Sequence, residues 1–75
     1  MIASGFIEVN GQQDVDKVVE ELKLRGVEVN ETSGEKIVFL VERPSEGEVK
    51  REIESLKDIE GVRNVYLAYF TLEES

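Results

Sequence analysis

The segment Ile37-Val38-Phe39-Leu40-Val41-Glu42, read IVFLVE, decides the fold. Five consecutive apolar residues, most of them β-branched or aromatic, stand between Lys36 and Pro44. That composition and length suit a strand. Pro44 ends it, because proline has no N–H for a ladder. Side chains on a strand alternate between faces, so Ile37, Phe39 and Val41 point one way and Val38 and Leu40 the other. A half-buried antiparallel strand normally carries polar residues on its second face. Here both faces are apolar, and the rest of the chain must supply a cover for each.

Reading outward, Ile2 to Val9 (IASGFIEV) is a first strand, and NGQQ after it is a polar turn. A helix is predicted from about Asp14 to Arg25, with Val15, Val18, Val19 and Leu22 on one face at i, i+3, i+4, i+7 spacing. Asp14 is the expected N-cap and Gly26 the left-handed stop. Val27 to Thr32 is a short alternating edge strand, and the turn at Ser33–Gly34–Glu35 leads into Lys36–Glu42. Ser45–Glu48 (SEGE) has the Ser-x-x-Glu form of a capping box. A second helix follows to about Ile59, with the stripe Val49, Ile53 and Leu56. Glu46–Lys50 and Lys17–Glu21 are i, i+4 pairs of opposite charge. Gly61 ends this helix, Val62 to Phe70 (VRNVYLAYF) is the last strand, and TLEES closes the chain as an acidic tail.

The order β-α-β-β-α-β over residues 1–75, with no linker or repeat, predicts one α+β domain. Right-handed crossovers place both helices on one face of a four-stranded antiparallel sheet. The first and third strands lie in the centre. The expected core is Ile7, Val9, Ile37, Phe39, Val41, Val65 and Leu67, with Tyr69 near its end.

Composition narrows the function. The chain has no cysteine, histidine or tryptophan, so thiolate or imidazole metal ligation and triad-type catalysis have no residues to work with. Nine basic residues against seventeen acidic ones give a net charge of -8. Nucleic acid is an unfavourable partner for such a chain, because phosphate binding runs on Lys and Arg. A cationic or polar partner fits better. No apolar run reaches the ~20 residues a bilayer requires, and MIASGFIEV lacks the basic start of a secretory signal. A soluble cytoplasmic protein without membrane attachment is expected. The acids fall mostly on outward helix surfaces, as in EGEVKREIE, so neither an enzyme nor a metal site is expected, and no cofactor.

Parity places Ser4, Phe6 and Glu8, then Val38 and Leu40, then Tyr66, Ala68 and Phe70 on the face opposite the helices. No helix is left to cover that mostly apolar set. A weak homodimer burying sheet on sheet, a ligand or peptide site, and a bare surface each account for such a patch. A shallow face does not suit an enclosed enzyme pocket. Glu8 and Glu42 flank it, and Glu28, Glu31, Glu73 and Glu74 lie around its rim. An apolar floor with an acidic rim suits a segment carrying both apolar and basic residues, such as an amphipathic helix.

Ile53 to Glu74 (IESLKDIEGVRNVYLAYFTLEE), together with ASGFIEV and SGEKIVFLVE, resembles the NapD family along nearly the whole chain. LAYFTLEE is the most telling stretch; IEGVRNV is shared with regulatory domains of ACT type. Phe70 stands where a His often follows the Tyr in the NapD family. The resemblance implies a ferredoxin-like fold. It also implies a cytoplasmic chaperone that binds the twin-arginine signal peptide of a molybdoenzyme catalytic subunit, that of periplasmic nitrate reductase, and delays export until the cofactor is inserted. On that reading Ser4, Phe6, Glu8, Val38, Leu40, Glu42, Tyr66, Ala68 and Phe70 form the peptide site. The alternative is a dimeric ACT-like domain binding a small molecule near the Asn10–Gln13 loop.

Overall fold

The computed structural model of the chain describes the backbone of residues 1–71 and the side chains of residues 1–68. β1 (Ile2–Val9) leads through a 3-10 turn at Gln12–Asp14 into α1 (Val15–Leu24). β2 (Glu28–Ser33), β3 (Lys36–Glu42), α2 (Glu46–Leu56) and β4 (Val62–Thr71) follow. The sheet runs β2-β3-β1-β4 with every neighbouring pair antiparallel. Val15, Val18 and Leu22 of α1 and Leu56 of α2 share one buried cluster with Ile7, Val9, Ile37, Phe39 and Val41. Both helices therefore cover the same face of the sheet. This is the arrangement expected from the order of elements, and it is the ferredoxin-like fold that the resemblance implies.

The helix ends show how local chemistry sets the boundaries. Gly26 takes φ 79°, which places it in the left-handed region. Its N–H donates to the Lys23 carbonyl at 3.1 Å, and the Val27 N–H reaches back to the Leu22 carbonyl at 2.9 Å. Those two bonds close a Schellman motif, and Val27 and Leu22 both enter the core beside it. At the start of α2, Ser45 is extended and its Oγ accepts from the Glu48 N–H at 3.3 Å. The Ser45 hydroxyl in turn donates to Glu48 Oε2 at 3.2 Å.

Four expectations need correction. Asp14 does not cap α1 with its side chain, because its backbone is already helical after the 3-10 turn and an N-cap needs extended geometry. α2 stops at Leu56; two tight turns then carry Ile59 into the core, Asp58 N–H to Ser55 carbonyl at 3.1 Å and Ile59 N–H to Leu56 carbonyl at 3.2 Å. Glu46–Lys50 forms at 3.1 Å, but Lys17 pairs with Glu60 at 3.0 Å and Glu21 with Arg25 at 3.1 Å. An acid N-terminal to its base is the better i, i+4 orientation, so Glu21 turns to Arg25. Leu67 lies on the helix side yet is 51% exposed. Its partner on β1 is Gly5, which has no side chain to pack against it, whereas Val65 sits opposite Ile7.

A half-buried polar seam ties the two helices to β3. Arg43 Nη2 donates to the Arg25 carbonyl at 2.9 Å and to Glu52 Oε1 at 3.0 Å. Arg25 Nη1 donates to Ser55 Oγ at 3.1 Å. The guanidinium of Arg43 thus satisfies a carbonyl that the end of α1 leaves open. With this seam and the core beneath it, the helices are fixed to one side of the sheet.

Candidate functional site on the open sheet face

The other side of the sheet carries no element among the described residues. Its side chains stand in rows set by the register. Glu31, Val38, Phe6 and Tyr66 form one row across β2, β3, β1 and β4. Glu28, Leu40 and Ser4 form a second on one side of it, and Ser33, Lys36, Glu8 and Asn64 a third on the other. Ile2 and Glu42 pair at the far end. Ile2, Ser4, Phe6, Glu8, Val38 and Leu40 are half-buried by one another, and Tyr66 is 43% exposed. Ala68 and Glu42 are exposed. The structure therefore brings Ser4, Phe6, Glu8, Val38, Leu40, Glu42 and Tyr66 to one surface.

β4 departs from simple alternation at two places. Val9 pairs with Val62 but Glu8 with Asn64, so Arg63 is an extra residue in β4. Gly5 pairs with Leu67 but Ser4 with Tyr69, so Ala68 is another. After the second shift Phe70 falls opposite Ala3, so the period-two count that groups it with Tyr66 does not run through Ala68. The side chains of Tyr69 and Phe70 lie outside the described residues, as do Glu73 and Glu74. β2 has a similar shift at Asn30, which keeps both Glu28 and Glu31 opposite open-face residues of β3.

Five members of this surface, Ile2, Ser33, Lys36, Arg63 and Asn64, were not singled out from the sequence. Ile2 shares the parity of Phe6, and Lys36 that of Val38, so both were available to the same count. Asn64 shares the parity of Tyr66 and Ser33 that of Glu31, so they were available too; only Arg63 depends on the β4 shift, which leaves no local mark. Lys36 Nζ sits 4.5 Å from the centre of the Phe6 ring. Phe6 and Tyr66 stack with ring centres 4.8 Å apart and 27° between planes. The Tyr66 hydroxyl donates to Glu8 Oε1 at 3.4 Å, and Arg63 Nη2 lies 3.6 Å from the same oxygen.

Elsewhere, Ile53 and Leu67 line a concavity of about 510 Å³ between α2 and β4, together with Glu46, Lys50 and Glu54. The Asn10–Gln13 loop is tied down by the Asn10 N–H to the Gly61 carbonyl at 2.8 Å and the Asp14 N–H to the Gly11 carbonyl at 2.9 Å. Among the described residues no helix is long and apolar enough to cross a membrane. None of the Asp and Glu side chains among them gather in threes in a way that could hold a metal ion.

A family model described as NapD protein matches residues 1–74. The chain belongs to the NapD family. A solved structure, the solution structure of the E. coli Tat proofreading chaperone protein NapD, is similar at TM-score 0.84 and 23% identity, over 99% of this chain and 80% of that one. At that identity the likeness speaks to the shared fold. No curated protein matches. Within this NapD-family chain the open sheet face, the grid of apolar residues between Glu8 and Glu42, is the strongest candidate site.

Proposed function

We propose that this NapD-family chain is a single-domain, non-enzymatic chaperone acting in the cytoplasm. Its ligand is the twin-arginine signal peptide of a molybdoenzyme catalytic subunit such as a periplasmic nitrate reductase. Held on the chaperone, the precursor is kept from export until its cofactor is in place. The observation that carries this reading is the uncovered block of Phe6, Val38, Leu40 and Tyr66 with Glu28 and Glu31 along one margin.

The dimensions agree with a helical ligand. Strands about 4.8 Å apart make the four-stranded face roughly 14 Å wide. A helix with its side chains is about 10–12 Å across. From Ile2 to Glu8 the face runs about 20 Å at ~3.4 Å per residue, room for some 13 helical residues at ~1.5 Å each. Burying apolar side chains of the peptide gives most of the affinity, at about 25 cal/mol per Å² before ordering costs. The acids steer and orient, at ~1 kcal/mol or less each on an exposed face.

Calorimetric titration with a synthetic peptide of two adjacent arginines followed by an apolar segment tests the reading. Phe6→Ser and Leu40→Ser are each expected to weaken binding about tenfold or more, as truncation of a central anchor does. Undiminished binding by both variants rejects the sheet-face site.

A further inference from the structure

We infer that Phe6, Tyr66 and Glu8 form the seat for one arginine of the bound peptide, and that Lys36 and Arg63 occupy this seat in the free chain. The inference rests on the peptide-binding reading above and names the place on the face where the cationic part of the ligand is recognised. Two of the chain's own cations converge on one corner of the face. Lys36 Nζ lies over the Phe6 ring at 4.5 Å. Arg63 Nη2 lies 3.6 Å from Glu8 Oε1. The first is within the range where a ring face attracts a cation. The second is well beyond the 2.7–2.9 Å of a tight charge-assisted bond. Glu8 therefore keeps acceptor capacity, and its side chain is 29% exposed. Arg63, half-exposed at 50%, gives up little on leaving.

The chemistry favours a guanidinium over an ammonium. A guanidinium is planar, stacks on an aromatic ring and offers a donor fork to a carboxylate at the same time. An ammonium is a compact point charge without such a fork. In the free chain the two tasks are split, with Lys36 on the ring and Arg63 on the carboxylate. One peptide arginine performs both. Tyr66 steadies the arrangement, since its ring stacks on Phe6 and its hydroxyl donates to Glu8. Glu28 stands opposite Leu40 and Glu31 opposite Val38, so neither has a ring as its immediate neighbour, and both serve as general steering charges. The seat also orients the ligand. The arginine end lies over the Glu8–Lys36 row, and the apolar segment runs along Leu40 and Ser4 towards Ile2.

The test compares the twin-arginine peptide with the same peptide carrying citrulline at both arginines, which keeps shape and removes charge. Lys36→Gln is expected to bind the arginine peptide about 3-fold more tightly than the unaltered chain, the scale of one exposed cation–ring contact. Lys57→Gln, just past the C-terminal end of α2 and paired with Glu54, is the control for net charge and is expected to change little. The citrulline peptide gains nothing from Lys36→Gln. Glu8→Gln is expected to weaken the arginine peptide about 5-fold and leave the citrulline peptide unchanged. The seat is overturned if Lys36→Gln binds no more tightly than Lys57→Gln, or if the citrulline peptide gains equally. If those results accompany a loss of binding in Phe6→Ser and Leu40→Ser, the peptide site stands and only the arginine seat falls. If the unaltered chain binds neither peptide, both fall together.

Discussion

Gly5→Ala is expected to lower the stability of this chain by about 3 kcal/mol or more, the largest effect of a single added methyl group. Gly5 is buried in the middle of β1, with β4 crossing beside it where Ala68 is the extra residue. An added Cβ falls on the Tyr66 carbonyl oxygen, with the Tyr66 carbonyl carbon at 3.0 Å and the Leu67 Cα at 3.1 Å. These are backbone atoms, so no rotamer change relieves the overlap. β4 must move away from β1, and pairing from Ile2↔Thr71 to Val9↔Val62 is put under strain. A folded chain of this size has only roughly 4–11 kcal/mol in total. At about 4–8 °C per kcal/mol, thermal unfolding followed by circular dichroism should fall by some 12 °C or more. An unchanged midpoint would mean that β4 does not approach β1 in this register.

Two neighbours on β3 should behave oppositely. Phe39 is fully buried among Ile7, Leu22 and the rest of the core, and Leu40, the next residue, is half-buried on the open face. Phe39→Ala is expected to cost about 3–5 kcal/mol, through lost transfer energy and the cavity left behind, and to leave little folded chain. Leu40→Ser is expected to cost about 1 kcal/mol or less in stability while it weakens peptide binding. Chemical denaturation measures the first and calorimetry the second. If Leu40→Ser unfolds the chain and Phe39→Ala does not, the sheet faces are assigned the wrong way round.

The fold was legible because its signals are local and agree with one another. The 3.6 spacing in Val15–Leu22, the Ser45–Glu48 box and Gly26 mark helices and their ends without knowledge of what they touch. The element order with right-handed crossovers put β1 and β3 in the centre, the run Ile37–Val41 showed that both faces of β3 are apolar, and parity on β1 and β3 then assembled Ser4, Phe6, Glu8, Val38, Leu40 and Glu42. β4 was only partly legible. Parity carries over a strand until an extra residue interrupts it, and Arg63 and Ala68 interrupt β4 twice. Those shifts arise where β4 meets β1, around Gly5 and Glu8, so they are tertiary and leave no pattern in VRNVYLAYF. Tyr66 lies between them and opposite Phe6, where the count still holds. The exposure of Leu67 follows from its missing partner at Gly5, again a fact of pairing. Ion pairs such as Lys17–Glu60 join the helix to a distant turn, and i, i+4 spacing cannot find them.

The most direct test of the open-face site is an NMR measurement of intermolecular NOEs between methyl-labelled protein and the unlabelled twin-arginine peptide. Contacts are expected from the Val38 and Leu40 methyl groups and the Phe6 and Tyr66 rings, and not from Ile37 or Val41 on the buried face. Contacts instead from Ile53 and Leu67 would place the peptide in the α2–β4 concavity and contradict a ligand lying on the uncovered sheet.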